Sequence, residues 1–398
     1  MLRFDPRQTF PQSGRRRAVP GRLRGCEEDT VKDTVKRSLF FFLICLLPLF
    51  SPPGAAQEIA DRSTPELLRF GRALYERGEC FSSRYLFQQV LEREPQNAAA
   101  LAGKGQALIC EGSFDEGVRT LEEVTQLTPA RAEAFIQLAN AYLEQYRHDP
   151  ERQGSRLEDA LGALEQAESK GADRAATANL RGVARYRQND LPAARDALLE
   201  ATELQNGVAD YHRNLGLVYL ELGDTEAAVE TLRRAVSLEP DDASARNQLG
   251  AAYLKLGRCD DAVFELEQAV TLAPNEAAVN LNLGRALFEC DDFEAARPYF
   301  EKVVALEPTA FAPAYTYLAR LDLEAGDFDG AVTQATKGAL LPPANAEAYY
   351  WLGQAYEARG GTASDGASDL DKADDAFRRA LELDASFKPA RAALNRTP

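Results

Sequence analysis

The sequence predicts an all-α protein made of about nine two-helix units that stack into a solenoid. Three observations predict this fold: similar segments recur every 34 residues, each segment carries two stretches with apolar residues at helical spacing, and a proline closes most segments. The segment that begins at Tyr211 aligns with those that begin at Ala245 and Val279. The closing prolines are Pro95, Pro129, Pro240, Pro274, Pro308 and Pro343.

The first 56 residues differ from the rest of the chain and predict a signal peptide. They hold ten Lys or Arg against five acidic residues, followed by a twelve-residue apolar run, 39–50, and then small residues before Gln57. This layout is typical of a secretory signal, with cleavage expected after Ala56. The run is shorter than the roughly 20 residues that span a bilayer, so an uncleaved membrane anchor is the alternative. Because the basic stretch is long, we expect translation to start downstream, near Val31.

Nine units fit the period from residue 64 onward. They are 64–97, 98–131, 132–174, 175–208, 209–242, 243–276, 277–310, 312–345 and 346–387. The third and ninth units are longer, and their extra residues, around 148–156 and 361–369, are polar and rich in turn formers, which predicts exposed loops. The last segment, 388–398, is expected to form a short capping helix that packs through Ala392, Ala393 and Leu394.

The sixth unit shows why each repeat should form a helical hairpin. Leu249 and Tyr253 place apolar groups one turn apart on the first helix. Gly250 and Ala262 lack bulk where the two helices would cross, so the backbones can approach closely. Pro274 has no N–H to donate and therefore closes the second helix. One such hairpin cannot bury its apolar face alone, so neighbouring units must stack.

These units resemble tetratricopeptide repeats, whose pattern is a large residue, Leu, Gly or Ala, Tyr, Ala, Phe or Leu, Ala and Pro. The fifth unit matches this pattern with His212, Leu215, Gly216, Tyr219, Ala228, Leu232, Ala235 and Pro240. The departures in the early units are Ser83, Lys104, Gly117 and Arg185, and there we expect looser packing. The resemblance implies a right-handed superhelix in which the first helix of each unit lines a concave groove. It covers residues 64–387 and is specific for fold.

Four cysteines outside the signal segment occur in two equivalent pairs within this repeat frame. Cys80 and Cys259 start second helices, and Cys110 and Cys290 end the first helices of the units that follow. Because consecutive helices are antiparallel, each pair should be close in space. We therefore predict the disulfides Cys80–Cys110 and Cys259–Cys290, each of which closes a loop of about 30 residues and stabilises the fold by roughly 3–4 kcal/mol. The alternative is four small apolar fillers in a reduced protein.

Two sets of first-helix residues are candidates for contact with a partner. Some relatives in the family hold an extended peptide by asparagines, because a side-chain amide can both donate to and accept from a peptide backbone. The first candidates are Asn214, Asn247 and Asn282. Arg and aromatic residues concentrate binding energy at interfaces, and the second candidates are Arg285, Phe288, Tyr317, Arg320, Tyr350 and Trp351. Solvated asparagines and a packed Trp351 are the structural alternatives.

Composition and motifs argue against an enzyme. The chain has only two histidines, a formal net charge of −16 and no glycine-rich phosphate loop or serine elbow. We therefore expect no catalytic residues, no metal, no cofactor and no nucleic-acid partner. The sequence predicts an exported scaffold, periplasmic in a bacterium, that binds a peptide or protein in its groove. A membrane-anchored assembly factor and a regulatory subunit of an enzyme encoded elsewhere are the alternatives, and membrane contact is expected only if the apolar run stays uncleaved.

Overall fold

The computed structural model describes residues 62–150, 154–360 and 368–395, so the predicted signal segment 1–56 lies outside the described residues. The described chain consists of α-helices joined by short turns, and it contains no β-strand. The helices are α1 (Thr64–Glu76), α2 (Cys80–Arg93), α3 (Ala98–Cys110), α4 (Phe114–Leu127), α5 (Ala132–His148), α6 (Arg156–Ser169), α7 (Arg174–Arg187), α8 (Leu191–Leu204), α9 (Ala209–Leu222), α10 (Thr225–Leu238), α11 (Ala243–Lys255), α12 (Cys259–Leu272), α13 (Ala277–Glu289), α14 (Phe293–Leu306), α15 (Ala312–Glu324), α16 (Phe328–Leu340), α17 (Ala346–Arg359), α18 (Asp369–Leu383) and α19 (Lys388–Leu394).

The chain divides into two compact units, residues 1–218 and 219–398. Within each unit, consecutive helices pack against each other, as hairpins do in a helical repeat solenoid. First helices of neighbouring repeats also touch: α1 contacts α3 in the first unit, and α11 contacts α13 and α15 contacts α17 in the second. Neighbouring first helices therefore lie side by side in each unit and form a common surface, which we call the first-helix face.

In six of the hairpins that the structure describes, a large side chain of the second helix packs onto a glycine of the first helix. A Cβ atom added to Gly250 would lie 2.5 Å from Cγ of Leu266 and 3.0 Å from the carbonyl oxygen of Ala262. The same contact recurs between Gly71 and Phe87, Gly105 and Leu121, Gly182 and Leu198, Gly284 and Phe300, and Gly353 and Phe377. The large side chain belongs to the residue 16 positions after the glycine in every case but the last, where the insertion of the ninth unit adds eight residues. The predicted close approach of the paired helices is therefore present.

A second repeated contact ties the start of several first helices to the turn before them. We call the glycine of the first contact, or the residue at its place in other repeats, the packing glycine. The residue four positions before it donates a hydrogen bond to a backbone carbonyl oxygen. That oxygen belongs to the residue that closes the preceding repeat, which is proline in most cases. The bonds are Arg246 Nε to Pro240 O (2.7 Å), Asn280 Nδ2 to Pro274 O (2.9 Å) and Tyr315 Oη to Pro308 O (3.0 Å). His212 occupies the same position, and its Nε2 lies 3.0 Å from Asn206 O. We call this contact the closing hydrogen bond.

Helix α19 continues the repeat beyond the ninth unit. Arg391 donates to the carbonyl oxygen of Ala385, the residue that replaces the closing proline, and so makes the closing hydrogen bond. Ala390 and Ala393 are buried. Ala392 is exposed, so the expectation that it packs is wrong. The helix is therefore built like the start of another first helix, and it covers the last hairpin.

The early units accommodate their departures from the family pattern without loss of close packing. Ser83 is fully buried, and its hydroxyl donates to the carbonyl oxygen of Gly71 over 2.8 Å. A Cβ atom on Gly117 would lie only 2.7 Å from Cδ1 of Ile109. At these positions the expectation of looser packing is wrong, because a hydroxyl finds an acceptor and a larger neighbour fills the space.

The structure brings both predicted cysteine pairs together. The Cα atoms of Cys80 and Cys110 lie 5.9 Å apart, and so do those of Cys259 and Cys290. This separation lies within the usual range of disulfides. Each pair joins the start of a second helix to the end of the next first helix, as the repeat register predicts. Oxidation of the four cysteines stays a prediction.

Arg359 links the two helices that flank the insertion in the ninth unit. Arg359 ends α17 and forms a two-pronged ion pair with Asp369, over 2.6 Å and 2.9 Å, and its third nitrogen lies 3.0 Å from Asp329. Paired donors of this geometry are among the stronger charge-assisted hydrogen bonds. The last residue of α17 is thereby bound to the first residue of α18, and residues 361–367 between them lie outside the described residues.

The glycine contact predicts opposite effects for two otherwise similar substitutions. Gly182→Ala should lower the free energy of unfolding by about 1–3 kcal/mol, because the added methyl would lie 2.5 Å from Cγ of Leu198. Gly162→Ala, in the neighbouring helix α6, meets no atom within 4 Å and should raise the free energy of unfolding by up to about 1 kcal/mol through helix propensity. Urea denaturation followed by circular dichroism measures both. Equal effects of the two substitutions would contradict the contact.

Candidate functional site

Asparagines on neighbouring first helices bond to each other in the same way in both units. In residues 1–218, Asn214 Nδ2 donates to Asn179 Oδ1 over 2.9 Å. In residues 219–398, Asn282 Nδ2 donates to Asn247 Oδ1, also over 2.9 Å. Each donor stands two residues before its repeat's packing glycine, and each acceptor stands three residues before the glycine of the preceding repeat. Sequence analysis missed Asn179, although its distance of 35 residues from Asn214 equals that between Asn247 and Asn282.

The asparagine pair of the second unit has hydrogen-bonding capacity left over. The amide atoms that remain, Asn282 Oδ1 and Asn247 Nδ2, bond to nothing among the described residues. An oxygen that accepts and an N–H that donates are what a peptide backbone needs from a binding surface. Beside them, Gln248 stands two residues before its packing glycine, the position that Asn282 occupies in the next repeat, and its Oε1 is buried without a bonded partner. The row of first-helix amides therefore offers unused donors and acceptors.

Aromatic and cationic residues form a second cluster, which α13, α15 and α17 build together. The guanidinium carbon of Arg320 lies 4.3 Å from the ring centre of Phe288, 4.7 Å from that of Trp351 and 5.2 Å from that of Tyr317. Cations at these distances from ring faces are attracted by the ring quadrupole. Three of the predicted residues thus surround the fourth. We call Phe288, Tyr317, Arg320 and Trp351 the arginine–aromatic cluster.

The rings beneath Arg320 belong to the core. Phe288 and Tyr317 are 6% and 8% exposed, and their ring centres lie 5.2 Å apart in an edge-on arrangement. Tyr317 also stacks on Phe300 at 4.8 Å. Trp351 and Arg320 are half-buried. Phe288 and Tyr317 therefore fix the position of the arginine, whereas Arg320 and Trp351 present the accessible part of the cluster.

The two remaining predicted residues have different surroundings. Arg285 forms an ion pair with Glu289 over 2.8 Å, one turn along α13. Tyr350 packs its ring 5.8 Å from that of Phe377 and 5.7 Å from that of Phe387, which ties α17 to the C-terminal hairpin. Arg285 is therefore neutralised within its own helix, and Tyr350 is largely a packing residue.

Burial keeps the tyrosine of the cluster protonated to alkaline pH. Burial is the main cause that raises the pKa of Tyr317 to about 12; Arg285 lowers this pKa and Glu289 raises it by smaller amounts. The Tyr317 hydroxyl lies 3.5 Å from the carboxylate of Glu289. At neutral pH the cluster therefore contains a neutral phenol beside the cation of Arg320.

Two features of other classes of site are not found in the described part of the chain. None of its helices combines the length and apolar character needed to cross a bilayer. It also contains no group of three or more His, Cys, Asp or Glu residues arranged to bind a metal ion.

Comparison with known families identifies the repeats over most of the chain. A family model described as "Tetratricopeptide repeat" matches residues 68–130, 151–209, 247–313 and 318–386, and one described as "TPR repeat" matches 217–257. Together these matches cover well over half of the sequence. No curated protein sequence matches the chain.

Solved structures of repeat proteins share the fold. The structure of the APC/C hetero-tetramer Cut9–Hcn1 aligns with a TM-score of 0.57 at 18% identity, over 81% of this chain and 59% of that one. The present chain thus spans less than two thirds of that relative. PilF of Pseudomonas aeruginosa aligns at 0.48 and 19% identity over 56% of this chain and 98% of its own. PilW, a type IV pilus biogenesis factor, aligns at 0.48 and 20% identity over 55% and 98%. The likeness to the Cut9–Hcn1 structure, at 18% identity, concerns the fold alone.

The raised pKa of Tyr317 predicts a loss of stability at alkaline pH. Above about pH 10 the unfolded chain releases this proton, whereas the folded protein keeps it up to about pH 12. The unfolded state then binds fewer protons, so the free energy of unfolding falls as pH rises from 10 towards 12. Between pH 9 and pH 11, the free energy of unfolding of Tyr317→Phe should therefore fall by about 1 kcal/mol less than that of the wild type. Urea denaturation at the two pH values measures this, and equal losses in both proteins would refute the assignment.

Proposed function

The chain belongs to the tetratricopeptide repeat family, and from this premise we propose that it is a non-enzymatic scaffold that binds a peptide or an extended protein segment. The proposed site is the first-helix face of residues 219–398, which contains the Asn247–Asn282 pair and the arginine–aromatic cluster. Proteins of this family generally bind other proteins and are generally not enzymes. The observation that carries the proposal is the unused donor and acceptor of the asparagine pair.

An extended segment suits this face better than a folded partner with a fixed surface. The pair offers one donor and one acceptor on adjacent first helices, so it can bond to a peptide unit without regard to side-chain identity. The accessible part of the arginine–aromatic cluster, Arg320 and Trp351, follows on the next first helices, α15 and α17. Backbone bonding at the amides and side-chain contact at Arg320 and Trp351 would thus act on successive parts of one segment.

We propose in addition that the protein is exported and that its cysteine pairs are oxidised. The support is the basic, apolar and small-residue layout of residues 1–56 together with the two cysteine pairs, since disulfides persist in oxidising compartments. In a bacterium this compartment would be the periplasm. The uncleaved anchor, with the repeats as its soluble arm, is the competing arrangement.

The peptide-binding proposal predicts that Asn282→Ala weakens binding about three- to tenfold, because one backbone hydrogen bond is lost. Peptides of twelve residues are selected from a random phage-displayed library on the full-length protein and synthesised with blocked ends. Their binding is read from the emission of Trp351, which is the only tryptophan in the chain. Gln268→Ala removes an amide from the second helix α12 and is the matched control, with unchanged affinity expected.

Two results would contradict this proposal. One is a selection that yields no peptide able to change the Trp351 emission. The other is an Asn282→Ala protein that binds its peptides as tightly as the Gln268→Ala control.

The export proposal predicts the intact mass of the native protein. The mass should be that of a chain that begins at Gln57. Four alkylations should appear only after reduction, one for each of Cys80, Cys110, Cys259 and Cys290. Mass spectrometry before and after reduction measures both. A mass that retains the apolar run 39–50 would favour the anchored arrangement, and four alkylations without reduction would refute the disulfides.

A further inference from the structure

Arg320 combines two properties that are unusual in one side chain. Its guanidinium carbon lies over three rings, 4.3 Å from the ring centre of Phe288, 4.7 Å from that of Trp351 and 5.2 Å from that of Tyr317. Yet in the described part of the chain no carboxylate, carbonyl or other acceptor forms an ion pair or hydrogen bond with it. The cation therefore lies against rings without an acidic partner, and its N–H donors have no acceptor among the described residues.

Two other partly buried arginines, on α13 and α14, have acidic partners. Arg285 pairs with Glu289 over 2.8 Å, and Arg297 pairs with Asp322 over 2.8 Å. The whole chain has 62 acidic residues against 46 basic ones. In so acidic a protein, a half-buried arginine that finds no carboxylate of its own remains able to accept one from a ligand.

A cation–ring contact needs the charge of a guanidinium and not its hydrogen-bond donors. The group is planar, and its five N–H bonds point outward from the edge of that plane. A carboxylate can accept two parallel bonds from that edge, and such pairs are both strong and directional. Because the ring contacts already restrict the side chain of Arg320, little side-chain entropy is lost when the pair forms.

The rings do not provide a site for a cationic ligand. Arg320 already fills the space over Phe288 and Trp351, so a lysine or arginine of the ligand would have to displace it and would meet its positive charge. The charge that complements the accessible part of the cluster is negative.

The position of Arg320 along the first-helix face decides where this negative charge comes from. In chain order, the amides of Asn247 and Asn282 precede it on α11 and α13, and Tyr350 and Trp351 follow it on α17. A segment that uses the amides at one end and the ring of Trp351 at the other would pass Arg320 in its middle. A carboxylate in the middle of a segment belongs to a side chain and not to the chain terminus.

We propose that Arg320 is a specificity-determining residue that binds the carboxylate of an aspartate or glutamate side chain within the peptide ligand. This inference rests on the proposed function and names the ligand class of the same site, an internally acidic peptide. Asn247 and Asn282 bind backbone irrespective of sequence, whereas Arg320 selects among sequences.

The test is a double-mutant cycle with the blocked twelve-residue peptides selected on the full-length protein. Each selected peptide is made a second time with its Asp or Glu replaced by Asn or Gln. With the wild-type protein, this replacement should weaken binding about 10- to 100-fold, as expected for a charged hydrogen-bonded pair. With Arg320→Gln, the acidic and amide peptides should bind equally. Arg233→Gln removes an exposed arginine from α10 and is the control for loss of charge; it should retain the full preference.

Affinities are read from Trp351 emission for every protein, and circular dichroism establishes that each variant is folded. Arg320→Lys keeps the charge but lacks the planar donors, so it should retain only part of the preference.

Three results would overturn the inference. If the acidic preference is the same in Arg320→Gln as in the wild type while peptides still change the Trp351 emission, Arg320 is not the selecting residue, although the proposed function stands. If only peptides with a free C-terminal carboxylate show a dependence on Arg320, the charge comes from the chain terminus. If no peptide changes the Trp351 emission, the inference fails together with the proposed function.

Discussion

The close approach of two helices at a glycine is the constraint on which the rest of this structure depends. At Gly250 a single added methyl would meet both Leu266 and the facing backbone. Helices that approach so closely bury one apolar stripe against each other and leave the outer stripe of the hairpin uncovered. Only another hairpin of the same kind covers it. The repeat of the sequence is therefore a consequence of the packing, and the distance of a residue from the packing glycine of its repeat indicates the helix face on which it lies.

The closing hydrogen bond fixes the register between successive hairpins in the same frame. Its acceptor is always a backbone carbonyl, whereas its donor is an arginine, an asparagine or a tyrosine. Because only the carbonyl matters, the closing residue need not be proline, and Ala385 serves Arg391 equally well. A chain that keeps this register places chemically similar side chains at matching points of adjacent first helices, which is how two separate asparagine pairs arise with the same bond length.

Period and residue type predicted most of the fold, because both depend on local sequence. The family and the all-α repeat fold are confirmed, and the register also brought Cys80 to Cys110. What could not be predicted depends on contacts between side chains of different repeats. The sequence named Phe288 as a binding residue, but only the packing of Tyr317 shows that both rings lie beneath Arg320 in the core. A periodic pattern locates a residue on a face; it does not say which neighbour covers it.

The arginine–aromatic cluster shows why net charge is a poor guide to what such a face binds. A formal charge of −16 opposes the approach of an acidic segment only at long range, and salt screens it beyond roughly 8–10 Å. Within hydrogen-bonding distance the outcome depends on which charges are already paired. Arg285 and Glu289 neutralise each other, whereas Arg320 lies against rings that stabilise its charge without accepting hydrogen bonds from its N–H groups. Local geometry, which aromatic packing fixes, therefore gives a cationic point of recognition to a surface that composition alone would describe as acidic.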